Sequence, residues 1–174
     1  NLCTTQVTDM SGAPNNQGNN FFGQQYPNST FNKDISFWDT SNVTNMSWMM
    51  YGANSFNQNI SLWNVSKVTS FSAMFAHSVF NQNIGGWDTS SATSMEIMFW
   101  ENNAFNQDIG NWDVSNVIGS GLREMFDEAT SFNQDLSGWC VNNITSEPTE
   151  FANNSALTNA NKPIWGTCPD YNIN

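Results

Sequence analysis

The sole histidine, His77, stands in a variable turn after Met74 and Phe75. No serine or cysteine is arranged beside it as a nucleophile, so it reads as a solvated turn residue. Carboxylates offer two other chemistries. Paired carboxylates support glycoside hydrolysis, and Asp34, Asp108 and Asp135 share one column of a sequence repeat with Asn59 and Asn83. Mixing Asp with Asn relieves like-charge repulsion along such a column, which is the structural reading. The functional reading is a calcium column built on Asp34, Asp108 and Asp135, since calcium takes hard oxygen ligands. The Gly-Gly-x-Gly-x-Asp pattern of calcium-binding repeats is absent, so no metal and no cofactor is assigned. No catalytic constellation emerges, and the chain is expected not to be an enzyme.

Aromatic residues at variable positions carry a different chemistry. Tyr51, Ala76, Trp100 and Asp127 occupy equivalent places, and Trp48 stands where other repeats place Ala73 and Ile97. The repeat does not require Trp48, Tyr51 or Trp100. They are therefore the candidate interaction surface, able to stack on sugar rings or bury against a protein; the alternative is packing against neighbouring loops. Acceptor sequences for N-glycosylation occur at Asn28, Asn42, Asn45, Asn59, Asn64, Asn143 and Asn153, and matter where the source performs that modification.

The element that must position these residues is the repeat itself. The motif Phe-Asn-(Gln/Lys)-(Asp/Asn)-(Ile/Leu) begins at Phe31, Phe56, Phe80, Phe105 and Phe132, at intervals of 25, 24, 25 and 27 residues. Seven residues after each Phe comes a tryptophan, Trp38, Trp63, Trp87, Trp112 or Trp139. These form the expected core ladder. Met46, Met49 and Met50 recur as Phe71, Met74 and Phe75, then as Met95, Met98 and Phe99, and steps of three and four are helical steps. The pattern predicts a repeat solenoid with one short extended segment and one short helical segment per coil of about 25 residues. Asn32, Asn57, Asn81, Asn106 and Asn133 sit beside the expected buried Phe and are predicted to bond amide to amide along the stack.

Five full coils are expected over 31–147, the fifth starting at residue 132. Val7-Thr8-Asp9-Met10-Ser11 echoes Val43-Thr44-Asn45-Met46-Ser47, so 1–30 reads as a degenerate coil followed by a long loop or cap. Pro148, Pro163 and Gly166 break the pattern, and 148–174 reads as a carboxy-terminal cap.

Charged residues make up 11% of the 174 and the net charge is −11, with four Lys or Arg in all. So few cations cannot neutralise phosphates, which argues against nucleic acid and anionic membranes. No apolar run is long enough to span a bilayer. The first residue is Asn1, which suggests a processed or excised segment, as removal of a secretion signal would leave. Cys3, Cys140 and Cys168 lack zinc or redox spacings, and read as disulfide chemistry in an oxidising compartment. A Cys140–Cys168 bond is predicted because it would pin the cap to the last coil, closing a loop at a gain of about 3.5 kcal/mol in the chain-entropy account. Cys3 is then either a buried thiol or a bond to another chain.

The run Phe-Asn-Gln-Asp-Ile-Gly-Asn-Trp-Asp-Val-Ser-Asn-Val from Phe105 to Val117 resembles the BspA-like surface-protein repeat, also called the DUF285 repeat. The resemblance spans roughly 31–168; Ser137 to Cys140 and Trp165 to Pro169 are similar to the terminal unit of such arrays. Insertions at Gly119 to Leu122 and in the amino-terminal segment depart from it. The resemblance implies a leucine-rich-repeat-like solenoid, secretion to the cell surface or medium, and adhesion or interaction. The expected function is a non-enzymatic extracellular or cell-surface module, for adhesion, a surface coat or a filament. The alternative is a carbohydrate-binding module using Trp48, Tyr51 and Trp100. Expected partners are proteins or glycans at a cell surface and further copies of the chain, joined head to tail.

Overall fold

The computed structural model describes residues 6–12 and 30–169. Cys3, Asn28 and most of the segment 1–30 lie outside the described residues. Successive repeats lie against one another as coils, and the side chains that recur stack on their own equivalents. Phe31, Phe56, Phe80, Phe105 and Phe132 form a column with ring centroids 5.8, 6.1, 6.4 and 5.8 Å apart. Phe75, Phe99 and Phe126 form a second, each lying 4.0–4.1 Å from a ring of the first. Four tryptophans, Trp63, Trp87, Trp112 and Trp139, are buried, and Trp38 in the first coil is half-buried. A buried indole N–H needs an acceptor. Each of the four donates to the carbonyl of the Ile one coil back, at Ile35, Ile60, Ile84 and Ile109, over 3.1–3.3 Å.

The predicted solenoid with one extended and one helical segment per coil is not formed. Among the described residues there is no α-helix and no sheet. The regular structure is a short 3-10 helix at Asn159–Asn161 and isolated parallel bridges joining Asp9, Asn45, Ser70 and Ser94 in series. The leucine-rich-repeat-like coil that the resemblance implied falls with it.

The physical reason lies in where the backbone N–H groups of the Met-Phe stretch go. Those of Met49, Tyr51 and Ala53 close tight turns onto the carbonyls of Met46, Trp48 and Met50. Those of Met46, Trp48, Met50 and Gly52 leave the coil and reach Ser70, Ser72, Met74 and Ala76 of the next one, at 2.8–3.0 Å. The Ser47 N–H is taken by Asn45 Oδ1. Every donor is satisfied, as buried backbone requires, but no N–H reaches four residues back as in a helix. The same alternation recurs at Phe71–Phe75, Met95–Phe99 and Leu122–Phe126.

Alternate turns of the series, such as Met46–Met49 and Met50–Ala53, take a left-handed residue at their third position. It is found at Trp48, Ala73, Ile97, Glu124 and Glu150, with φ of 50–62°. Four residues further on it recurs at Gly52, His77, Glu101, Glu128 and Asn154, with φ of 51–65°. Two columns of left-handed residues thus run down one side of the molecule, which we call the turn wall.

A second wall is built of side-chain caps. The Asn amides do not pair with one another as predicted. Asn32, Asn57, Asn81 and Asn106 each use Oδ1 to accept the backbone N–H of the next Asn in the column, over 2.9–3.1 Å. Gln58, Gln107 and Gln134 add an Nε2 bond to the same Asn oxygens. The column lies at the surface, with Asn32, Asn57, Asn106 and Asn133 exposed.

The insertion in the fourth coil forms additional turns, Ile118–Gly121 and Ser120–Arg123. Glycine is required at 121, where a Cβ would come within 2.5 Å of Val117 Cγ1 and 2.8 Å of the Thr93 carbonyl. At the carboxy-terminal end Cys140 and Cys168 are disulfide-bonded across 28 residues. Trp165 packs edge-on against Phe151, centroids 5.0 Å apart.

Candidate functional site

The turn wall positions the residues that vary between coils. The two left-handed columns, and the column of Tyr51, Ala76, Trp100 and Asp127 beside them, hold residue types that change from coil to coil. In the first three coils Trp48 and His77 from the left-handed columns, with Tyr51 and Trp100 from the column beside them, bring aromatic rings to this wall. Trp48 and Tyr51 lie 4.7 Å apart between ring centroids, Tyr51 meets His77 of the next coil edge-on at 5.4 Å, and His77 meets Trp100 of the third coil at 4.3 Å. The sequence candidates Trp48, Tyr51 and Trp100 are thus brought into one continuous row across three coils. All three rings are half-buried.

His77 joins them, and sequence reasoning missed it. Instead of a solvated turn residue it is a side chain with 9% exposure, its Nδ1 2.9 Å from Glu101 Oε2. Burial lowers its pKa below the usual histidine value, and the Glu101 carboxylate opposes that shift. A neutral imidazole donating Nδ1–H to Glu101 meets both conditions. The missed signal was its position: His77 aligns with Gly52, Glu101 and Glu128, a column whose glycine member marks the left-handed turn. Beside the ring opens a cleft of about 360 Å³, lined by Asn54, His77, Val79, Glu101 and Asn103 among others.

The fourth and fifth coils put acids in the same columns. A carboxylate oxygen from each of Glu124, Asp127 and Glu150 lies within 4.8 Å of the others. Asp127 is 9% exposed. Its Oδ1 is buried without a hydrogen-bond partner, and burial raises its pKa above the usual aspartate value. Arg123 ion-pairs with both Glu96 and Glu124. No sequence motif flagged this cluster, because its members come from two coils.

The aspartate column weighed for calcium, to which no metal was assigned, caps its own backbone. Asp34, Asp108 and Asp135 each spend Oδ1 on the backbone N–H two residues on, at Ser36, Gly110 and Ser137, as do Asn59 and Asn83 at Ser61 and Gly85. These are Asx turns. Hydrogen bonds from Ser36 and Ser137 hold Asp34 and Asp135 below the usual aspartate range. Of the glycosylation candidates, Asn59, Asn64, Asn143 and Asn153 are exposed and Asn42 and Asn45 half-buried. Lys67 Nζ donates to Asn42 Oδ1 at 2.8 Å, and Asn143 donates to the Ser115 carbonyl.

Comparison with protein families returns one described as "Mycoplasma protein of unknown function, DUF285", whose profile matches residues 2–79 and again 76–165. The chain belongs to the DUF285 family. The two DUF285 matches together cover nearly all the coils, so aromatic row and acidic cluster both lie on the family's repeat. No curated protein matches the DUF285 chain, and no solved structure does. Among the described residues no helix is long and apolar enough to cross a membrane.

Proposed function

We propose that this DUF285 chain is a non-enzymatic interaction module acting at a cell surface or in the surrounding medium, in adhesion or a surface coat, as its BspA-like repeat suggests. The observation that carries the reading is the row Trp48, Tyr51, His77 and Trp100, continuous over three coils on a wall whose backbone is already satisfied. The rings of that row are half-buried and so reach solvent at the wall, and aromatic rings supply large contact area at low entropic cost. The disulfide between Cys140 and Cys168 suits an oxidising compartment.

A glycan is the second partner class, favoured by the cleft beside His77, where Asn54, Asn103 and Glu101 offer amide and carboxylate groups next to aromatic rings. The test is tryptophan fluorescence and a glycan array on the full chain, beside Trp48→Ala and Trp100→Ala. Saturable binding weakened by both substitutions supports the aromatic row. Binding that neither substitution alters removes the row from the proposal.

Head-to-tail association has its own support. The N–H groups of Glu150, Ala152 and Asn154 in the last coil find no acceptor among the described residues. An open edge of donors is a template for another chain. Sedimentation as a monomer at every concentration would remove this part.

A further inference from the structure

We propose that Glu124, Asp127 and Glu150 form a calcium-binding site near the carboxy-terminal end of the turn wall. The geometry matches one ion. Calcium–oxygen distances of about 2.4 Å place two ligands on a common ion at most about 4.8 Å apart, and one carboxylate oxygen from each residue lies within 4.8 Å of the other two.

A second observation points to a missing ligand. Asp127 is nine-tenths buried among these acids, and its Oδ1 has no donor. A buried acceptor left unsatisfied is costly, and the hydrogen bonds that Asp127 does receive, from the Asn153 side chain and the Glu128 backbone, leave Oδ1 open. The one cation nearby, Arg123, is divided between Glu96 and Glu124. Arg123 also feels the Glu150 carboxylate, so one cation is spread over three glutamates, while Glu128 and Glu150 both add negative charge against Asp127, in a chain of net charge −11. A divalent cation answers both the orphaned oxygen and the repulsion.

The donor set selects the ion. All three ligands are carboxylate oxygens, with no histidine or cysteine in the cluster, which disfavours zinc and copper. Glu150 is exposed and its side chain free to adjust. That tolerance suits the irregular, water-completed shell of calcium better than the near-ideal octahedron of magnesium. The site is local to these coils, since the places of Glu124 and Asp127 are filled by Ile97 and Trp100 one coil earlier and by Ala73 and Ala76 two coils earlier. It is also separate from the Asx column, where Asp34 and Asp135 each spend Oδ1 on a backbone N–H.

Isothermal titration of calcium chloride into the chelator-stripped full chain tests this. One saturable site is expected, with Kd in the range of about 0.1–1 mM typical of extracellular calcium modules. Asp127→Asn and Glu150→Gln should each weaken it by about tenfold or more, since affinity follows the charge count of the ligands. Glu150 is exposed, so its substitution leaves the fold in place. The double variant Asp34→Asn, Asp135→Asn removes equal or greater charge from the other wall and should bind as the parent does. No saturable heat, or a titration unchanged by Asp127→Asn and Glu150→Gln, would overturn the site. So would equal weakening by the Asp34 and Asp135 variant, which would mark the binding as diffuse attraction to an acidic protein.

Discussion

The left-handed columns of the turn wall and the column beside them carry rings at one end and acids at the other. Trp48, Tyr51, His77 and Trp100 lie against one another through their faces and edges, with Glu101 as the one partnering charge. Glu124, Asp127 and Glu150 converge with one shared arginine beside them. The backbone beneath is the same in both, coil after coil. The difference therefore teaches that the ladder fixes where a side chain stands and leaves its chemistry open, so one scaffold holds an apolar and an ionic site in line.

The largest expected effect tests whether both ends rest on one core. Phe99 is fully buried and stacks on Phe75, Phe105 and Phe126. Phe99→Ala should cost about 3–5 kcal/mol. Chemical denaturation should show a single transition moved for the whole chain. If the aromatic end melted while the acidic end kept its transition, the shared-core comparison would fail.

The second prediction separates the ends. In calcium-free buffer Asp127→Asn should raise stability by about 1–2 kcal/mol, because it removes a buried charge that stands among other acids with one oxygen unsatisfied. Glu101→Gln, at the aromatic end, should instead lower it, since Glu101 partners His77. Thermal unfolding of the two variants decides the signs. A destabilised Asp127→Asn would show that the carboxylate already has its counterion.

The ends also titrate in opposite senses. The folded pKa of His77 is lowered from 6.5, so below that value the unfolded chain binds a proton the folded one does not. The His77 contribution is intact above pH 6.5 and is lost as pH falls through it toward the folded value. For Asp127 the folded pKa is raised from 3.8, so its contribution is lost as pH rises from 3.8 through the folded value. Stability curves of His77→Gln and Asp127→Asn against the parent should differ with opposite slopes in these two windows. Parallel curves would remove the electrostatic distinction between the ends.

Much of the scaffold was legible in the sequence because it repeats: the period, the Phe and Trp columns and the aspartates that proved to be Asx caps all recur at fixed intervals. The turn wall was not. Apolar steps of three and four mark a helix, but tandem turns closing onto the third residue back give the same steps. The decisive signal, left-handed backbone, is announced in sequence by glycine or asparagine. Here Trp48, Ile97 and Glu124 hold those positions, and Gly52 and Asn154 alone show the expected type. The candidate aromatics could be picked out as residues the repeat did not need. The histidine that joins them could not, because its burial comes from neighbouring coils.

The smallest effect concerns that hidden backbone strain. Glu128 has φ of 58°, a region that costs a residue with a Cβ about 1–2 kcal/mol and glycine almost nothing. Its backbone is held there because its N–H is bonded to the Asn153 carbonyl at 2.8 Å. Glu128→Gly relieves the strain and one negative charge near Asp127. It also gives up a side-chain bond to Asn154 and adds freedom to the unfolded chain. The net expectation is a gain of about 0.5 kcal/mol, the left-handed relief of about 1–2 kcal/mol exceeding those losses. The same change at Glu101, the equivalent position at the aromatic end, should be destabilising instead, because there the side chain holds His77. Thermal melts of the two glycine variants, compared directly, would show whether one backbone conformation is used for two different purposes along the wall; losses of equal size in both would mean that it is not.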